Sequence, residues 1–161
     1  MEVKDQFLIS YNLFFDHGTR EELNALGTLL GKIVPVYFPQ LTYIEAGCDI
    51  MDLGDSRANI SGDGTGITRE NINTVPFEFK CPIPGKKYKT DLHYSLPVRY
   101  TTQTVSQMAV KKCKSLAFVS FMTERVSYIH ADMDPGLWSH IWRHTEDLYG
   151  SINKYRPTQR N

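Results

Sequence analysis

The chain has 161 residues, 41% apolar and 22% charged, with 18 Lys plus Arg exactly offset by 18 Asp plus Glu. That is the size and balance of one globular domain with a single core, and it excludes a disordered or uniformly polybasic protein. The sequence has no apolar run long enough to span a bilayer and no signal-peptide pattern at its start, so no membrane association is expected.

The first element is expected near Gly18. Thr19 and Glu22 have capping-box spacing, and Leu23, Leu26, Leu29 and Leu30 follow at helical spacing until Pro35 and Pro39 end the helix. Residues 41–60 read as strand, turn, strand, with Gly47 and Gly54 as punctuation, and residues 61–66 read as a turn. Residues 75–81 read as a strand stopped by Pro82 and Pro84. Residues 85–99 read as a loop rich in Lys and Tyr, and residues 101–112 as a helix with Val105, Met108 and Ala109 on one face. Two strands, 116–121 and 126–129, come next. Asp134 caps a last helix with Pro135 at its first position and Leu137, Ile141 and Leu148 along one side; 151–161 reads as a frayed tail. Helices and strands alternate without a linker or repeat. One mixed α/β domain is expected over 1–161, with 1–17 as a short N-terminal extension.

The chemistry centres on Phe77-Glu78-Phe79-Lys80. Side chains on a strand alternate faces, so Glu78 and Lys80 point one way while Phe77 and Phe79 enter the core. Asp63 lies upstream between two glycines, where backbone can approach a neighbouring strand closely. Asp63 beside Glu78 makes an oxygen-rich site of the kind Mg²⁺ prefers, and Lys80 could orient a water or pair with a phosphate. Simpler readings stand beside these. Glu78 and Lys80 could form an exposed ion pair, Glu22 could be only the capping-box acid, and Gln103 and Gln107 could be a solvated helix face. His140 and His144 have metal-ligand spacing, but no glutamate follows His140, so solvent-facing histidines are expected. Trp138 and Trp142 read as packing residues. The three cysteines, Cys48, Cys81 and Cys113, lack close pairing, which argues for a reducing, intracellular setting; Cys81 reads as a small buried residue at a strand end.

The ordered series Gly18-Thr-Arg-Glu-Glu22-Leu-Asn-Ala25, Ser61-Gly-Asp63-Gly64, Glu78-Phe-Lys80-Cys81-Pro82 and Tyr100-Thr-Thr-Gln103 with Gln107-Met108 resembles the YqaJ-like viral recombinase, or phage lambda-type exonuclease, family of the PD-(D/E)xK nuclease superfamily. The match runs from about Gly18 to Tyr149. The resemblance implies a restriction-endonuclease-like α/β core, a central mixed sheet flanked by helices, with the metal ligands at a sheet edge. It implies catalytic roles for Asp63, Glu78, Lys80, Gln103 and Glu22. The metal ligands would be Asp63, Glu78, Glu22 and the Phe79 carbonyl, around Mg²⁺ with Mn²⁺ as a substitute. Gln107 rivals Gln103 for the motif glutamine, and Gln103 is preferred because it keeps the Tyr-x-x-Gln spacing.

The charge is unevenly placed: between Cys81 and Arg125 eight bases face two acids. Lys86, Lys87, Lys89, Arg99, Lys111 and Lys112 are therefore candidate DNA contacts, with Tyr88 and Tyr94 available for stacking on an unpaired base. The expected activity is Mg²⁺-dependent hydrolysis of DNA, exonucleolytic, in recombination or DNA processing. The alternative is a non-catalytic DNA-binding or recombination-accessory domain on the same fold. A strand-annealing protein and further copies of the chain are the partners the resemblance implies. Only 21 residues precede Glu22, where lambda-type relatives carry a substantial helical region, which leaves end recognition and ring assembly open.

Overall fold

A computed structural model describes residues 3–53, 56–68, 74–83 and 91–150. The first helix, α1 (Val3–Thr28), begins well before Gly18 and runs on through a π-helical turn (Leu29–Ile33) into α2 (Val34–Tyr37). Thr19 therefore sits inside a helix and cannot cap one, so the capping-box reading of Thr19 and Glu22 fails, and much of the expected N-terminal extension is helix. Pro35 does not end the helix either. The π turn closes on a Val34 N–H to Leu29 carbonyl bond, which leaves Pro35 in the first turn of α2, where a missing amide proton is tolerated. The buried stripe is Ala25, Leu29, Ile33 and Val34 rather than the run of leucines, since Leu23 and Leu30 are exposed.

The strands are β1 (Leu41–Glu45), β2 (Cys48–Leu53), β3 (Ser56–Ser61), β4 (Gly64–Thr68), β5 (Thr74–Lys80), β6 (Ser115–Met122) and β7 (Arg125–Asp132). Five of them form a mixed sheet in the order β1-β4-β5-β6-β7, and β2 and β3 form a separate hairpin. Among the described residues only β5 and β6 pair in parallel, which requires a crossover; α3 (Val98–Val110) supplies it. This helix starts three residues before the sequence pattern suggests. α4 (Pro135–Gly150) follows β7, and the Leu137 amide donates to the Asp134 carboxylate at 2.9 Å, the expected cap.

Both faces of the sheet are covered. Ala25, Leu29, Ile33 and Val34 pack on Phe77, Phe79, Ala117, Val119 and Phe121. On the other face Val105 and Met108 of α3 meet Leu116 and Phe118, with Leu137, Trp138 and Ile141 of α4 alongside. The inner strand β6 is thus buried on both sides, as its unbroken run Leu-Ala-Phe-Val-Ser-Phe requires. Trp138 and Trp142 stack at 5.8 Å as packing residues, while His140 and His144 face solvent. Among the described residues no helix is long and apolar enough to cross a membrane. Residues 151–161 and the loop positions 84–90 lie outside the described residues.

Gly64 and Gly66, expected in a turn, belong to β4. The Tyr43 ring crosses Gly64 so closely that a Cβ there would occupy the space of the ring and its hydroxyl, and a Cβ on Gly66 would lie 2.9 Å from the Phe77 ring. Glycine here lets two aromatic rings approach the strand backbone closely. Gly64→Ala is expected to destabilise the fold by about 1–3 kcal/mol through overpacking, read as a lower urea midpoint with unchanged slope.

Candidate active site

The register places the site at the end of β5, not at a sheet edge. β4 begins at Gly64, opposite Phe77, so Glu78, Phe79 and Lys80 continue past it with no ladder partner on that side. β5 is the middle strand of the five. Asp63, the residue just before β4, fills the gap: its carboxylate accepts the Phe79 N–H at 2.6 Å, and its own carbonyl accepts the Tyr43 hydroxyl at 2.8 Å. An extended residue directs its N–H and C=O to the same side, so the Phe79 carbonyl also faces Asp63.

Glu78 points to the α3 face and is 1% exposed. The exposed ion-pair reading of Glu78 and Lys80 is therefore excluded. Its Oε1 accepts from the Lys80 ammonium and, at 2.6 Å, from Gln103 Nε2; its Oε2 accepts from Gln107 Nε2 at 2.5 Å. Gln103 and Gln107 lie one helical turn apart on α3, and both reach the same carboxylate. They need not be rivals, and neither is a solvated face, since Gln107 is fully buried. Three donors from two elements, Lys80 of β5 and the two glutamines of α3, thus fix a buried acid that would otherwise lack partners.

Glu22 approaches from α1. Two open clefts, of about 310 and 320 Å³, share Glu22 and Phe79 in their walls; the first also holds Asp63 and Tyr43, the second Lys80 and Arg99. Burial and the Glu78 carboxylate hold the Asp63 carboxyl up at about 6, against the pull of the Phe79 amide and Lys80. Burial raises the Glu22 carboxyl too, opposed by Lys80 and helped by Glu78. Three carboxyl groups that feel one another against one ammonium leave excess negative charge. Burial, then the acids Glu22, Glu21 and Asp63, push the Cys81 thiol up to about 12, so it stays protonated and is no nucleophile.

Among the described residues, no group of three or more His, Cys, Asp or Glu side chains forms a ready metal cage. A closed zinc-type site does not fit. The donor chemistry does suit a hard cation that keeps most of its waters and takes only one or two protein carboxylates, because Asp63 and Glu78 offer carboxylate oxygens among three neighbouring acids.

The candidate DNA contacts divide. Arg99 is exposed and lines the cleft with Lys80. Lys112 is exposed at the end of α3. Lys111 is only 12% exposed and its ammonium is held by Asp49 of β2 at 2.5 Å, so it straps the hairpin to α3 and has little surface to offer a ligand. Lys86, Lys87, Lys89 and Tyr88 lie outside the described residues. Sequence reasoning missed Tyr43 and His93; the i, i+4 spacing of the two glutamines was the available signal for Gln107.

No protein-family model and no curated protein matches the chain. Among solved structures, an alkaline exonuclease from Laribacter hongkongensis aligns with a TM-score of 0.66 and 17% identity, covering 87% of this chain and 69% of that one. The crystal structure of SSO0001 aligns at a TM-score of 0.49 and 12% identity, over 89% of this chain and 70% of the other. The first likeness establishes the fold: the restriction-endonuclease-like α/β core implied by the motif series is the one observed.

Proposed function

We propose that the chain is a Mg²⁺-dependent deoxyribonuclease of the lambda-type, YqaJ-like kind, an exonuclease acting in DNA recombination or processing. The observation that carries this reading is the meeting of Asp63, Glu78, Lys80, Gln103 and Gln107 at the unpaired end of β5, with Glu22 across the cleft. Asp63, Glu78 and the Phe79 carbonyl would hold the cation, with Glu22 on the far wall. A bound Mg²⁺ would supply an acidified water and offset charge on the scissile phosphate. Gln103 and Gln107 each donate to one Glu78 oxygen and hold the side chain in place. The Phe79 amide aims the Asp63 carboxylate. Lys80, its side chain 22% exposed, lines the cleft, where its ammonium can orient the attacking water or meet charge growing on the phosphate.

One observation favours the second reading, a non-catalytic DNA-binding domain: both Glu78 oxygens already accept hydrogen bonds. End-labelled linear DNA incubated with and without Mg²⁺ separates the two. The nuclease reading expects loss of label with Mg²⁺, none with EDTA, and a rate reduced by about a hundredfold or more in Lys80→Ala. Full activity in Lys80→Ala, or binding without degradation, would refute it.

A further inference from the structure

The cleft beside Lys80 contains a cluster that the proposed chemistry leaves unused. Arg99 lies with Cζ 4.8 Å from the centre of the Tyr100 ring, and Lys80 Nζ lies 5.3 Å from the same centre. Among the described residues no carboxylate pairs with Arg99. Its Nη2 instead meets His93 Nε2 at 3.4 Å. His93 is held in three ways. Its amide donates to the buried Ser120 hydroxyl at 3.0 Å, its carbonyl accepts from the Ser127 hydroxyl at 2.5 Å, and its ring packs on Tyr100 and Phe118 at 5.8 and 6.2 Å.

We propose that this cleft is a phosphate subsite for the phosphodiester next to the one being cut, with Arg99 as its ligand and His93 as the residue that positions Arg99. The proposal rests on the nuclease reading for the identity of the scissile bond. Arg99 carries several donors in a rigid fork suited to phosphate oxygens, and a guanidinium already stacked on an aromatic ring loses less freedom on binding. Arginine has no acceptor, so a neutral imidazole can accept from it without neutralising it, whereas a carboxylate would cancel its charge. Burial and the Arg99 charge both lower the His93 pKa, which keeps Nε2 available as that acceptor. The second cation, Lys80, is tied to Glu78 and serves the reacting centre. The two positive groups thus share the Tyr100 ring as a neighbour and have separate duties.

Three variants test the assignment. His93→Phe keeps the ring packing and removes the acceptor. His93→Gln keeps an acceptor near the Nε2 position. Arg99→Ala removes the proposed ligand. Binding of an internally labelled DNA duplex is followed by fluorescence anisotropy across a salt series, with Ca²⁺ in place of Mg²⁺, and melting temperatures confirm folding. Arg99→Ala is expected to weaken binding about tenfold and to reduce the salt slope by about one. His93→Phe is expected to weaken it about threefold, His93→Gln to restore most of the loss, and the double variant to bind no worse than Arg99→Ala alone, because one residue acts through the other. With Mg²⁺ the losses should fall on KM rather than kcat. An unchanged salt slope in Arg99→Ala, or additive losses in the double variant, would overturn the subsite. Arg99-dependent binding by a wild-type protein that cuts nothing would sink the nuclease reading and leave the anion site standing.

Discussion

Asp63→Asn should lower Mg²⁺-dependent cleavage by about a thousandfold or more while raising the stability of the metal-free protein near neutral pH. The two effects share a cause. Asp63 sits in a half-buried gap beside Glu78, and burial and that neighbour hold its carboxyl up at about 6 from an ordinary 3.8. A folded chain that keeps this proton to about pH 6, while the unfolded chain releases it near 3.8, binds more protons between those values. Stability must therefore fall as pH rises through that window, by about 2–3 kcal/mol in all. An amide at position 63 can still accept the Phe79 N–H but carries no charge, so the variant's stability should stay level from pH 4 to 6 apart from other groups. Urea melts at a series of pH values measure this. Addition of Mg²⁺ should raise the melting temperature of the wild type and not of Asp63→Asn, since a ligand of the folded state stabilises only where its carboxylates are intact. A variant that loses activity together with its fold would remove the argument for a site that trades stability for charge.

Gln107→Leu should destabilise the protein by about 2–3 kcal/mol, and Gln103→Leu by about 1 kcal/mol. The residue types and the target carboxylate are the same, but the positions are not equivalent. Gln107 is fully buried and is the donor to Glu78 Oε2, whereas Oε1 keeps the Lys80 ammonium when Gln103 is lost. Leucine nearly matches glutamine in volume, so little of the loss comes from packing. The Gln107 Oε1 has no partner among the described residues, so its removal forfeits nothing on the acceptor side. What is lost is the donor to a carboxylate oxygen at 1% residue exposure, together with the longer Nε2 bond to the Ser61 carbonyl at 3.4 Å. Denaturant midpoints of the two variants under one condition give the ranking, and equal midpoints would contradict it.

Much of this site could be read from residue order alone, and the failures have physical reasons. Alternation along Phe77-Glu78-Phe79-Lys80 assigns the phenylalanines to one face and the acid and amine to the other, and the structure agrees. Alternation is blind to what covers the second face. Burial of Glu78 depends on a helix more than twenty positions downstream, and no local pattern reports that contact. The helix does not start near Gly18 as the sequence suggests, because a cap signal inside a longer helix looks like a cap signal at its beginning. Gly64 and Gly66 resemble turn residues until the rings of Tyr43 and Phe77 are seen to lie across them. Lys111 counted as a basic surface residue because its partner, Asp49, is far away along the chain. Asp134 and Pro135, whose effects are local, begin the last helix as their sequence pattern predicts.

The parallel pairing of β5 with β6 has a consequence for inheritance. Glu78, its three donors Lys80, Gln103 and Gln107, and Ser120, which anchors His93, all fall within one stretch of sequence from Thr74 to Met122. That stretch is a single strand–helix–strand unit. A chimera that imports it whole from a homologue would carry the acid together with its supports, whereas a crossover inside it would strand a charged group among mismatched neighbours. Recombination between related genes should therefore be tolerated at its borders and selected against within it.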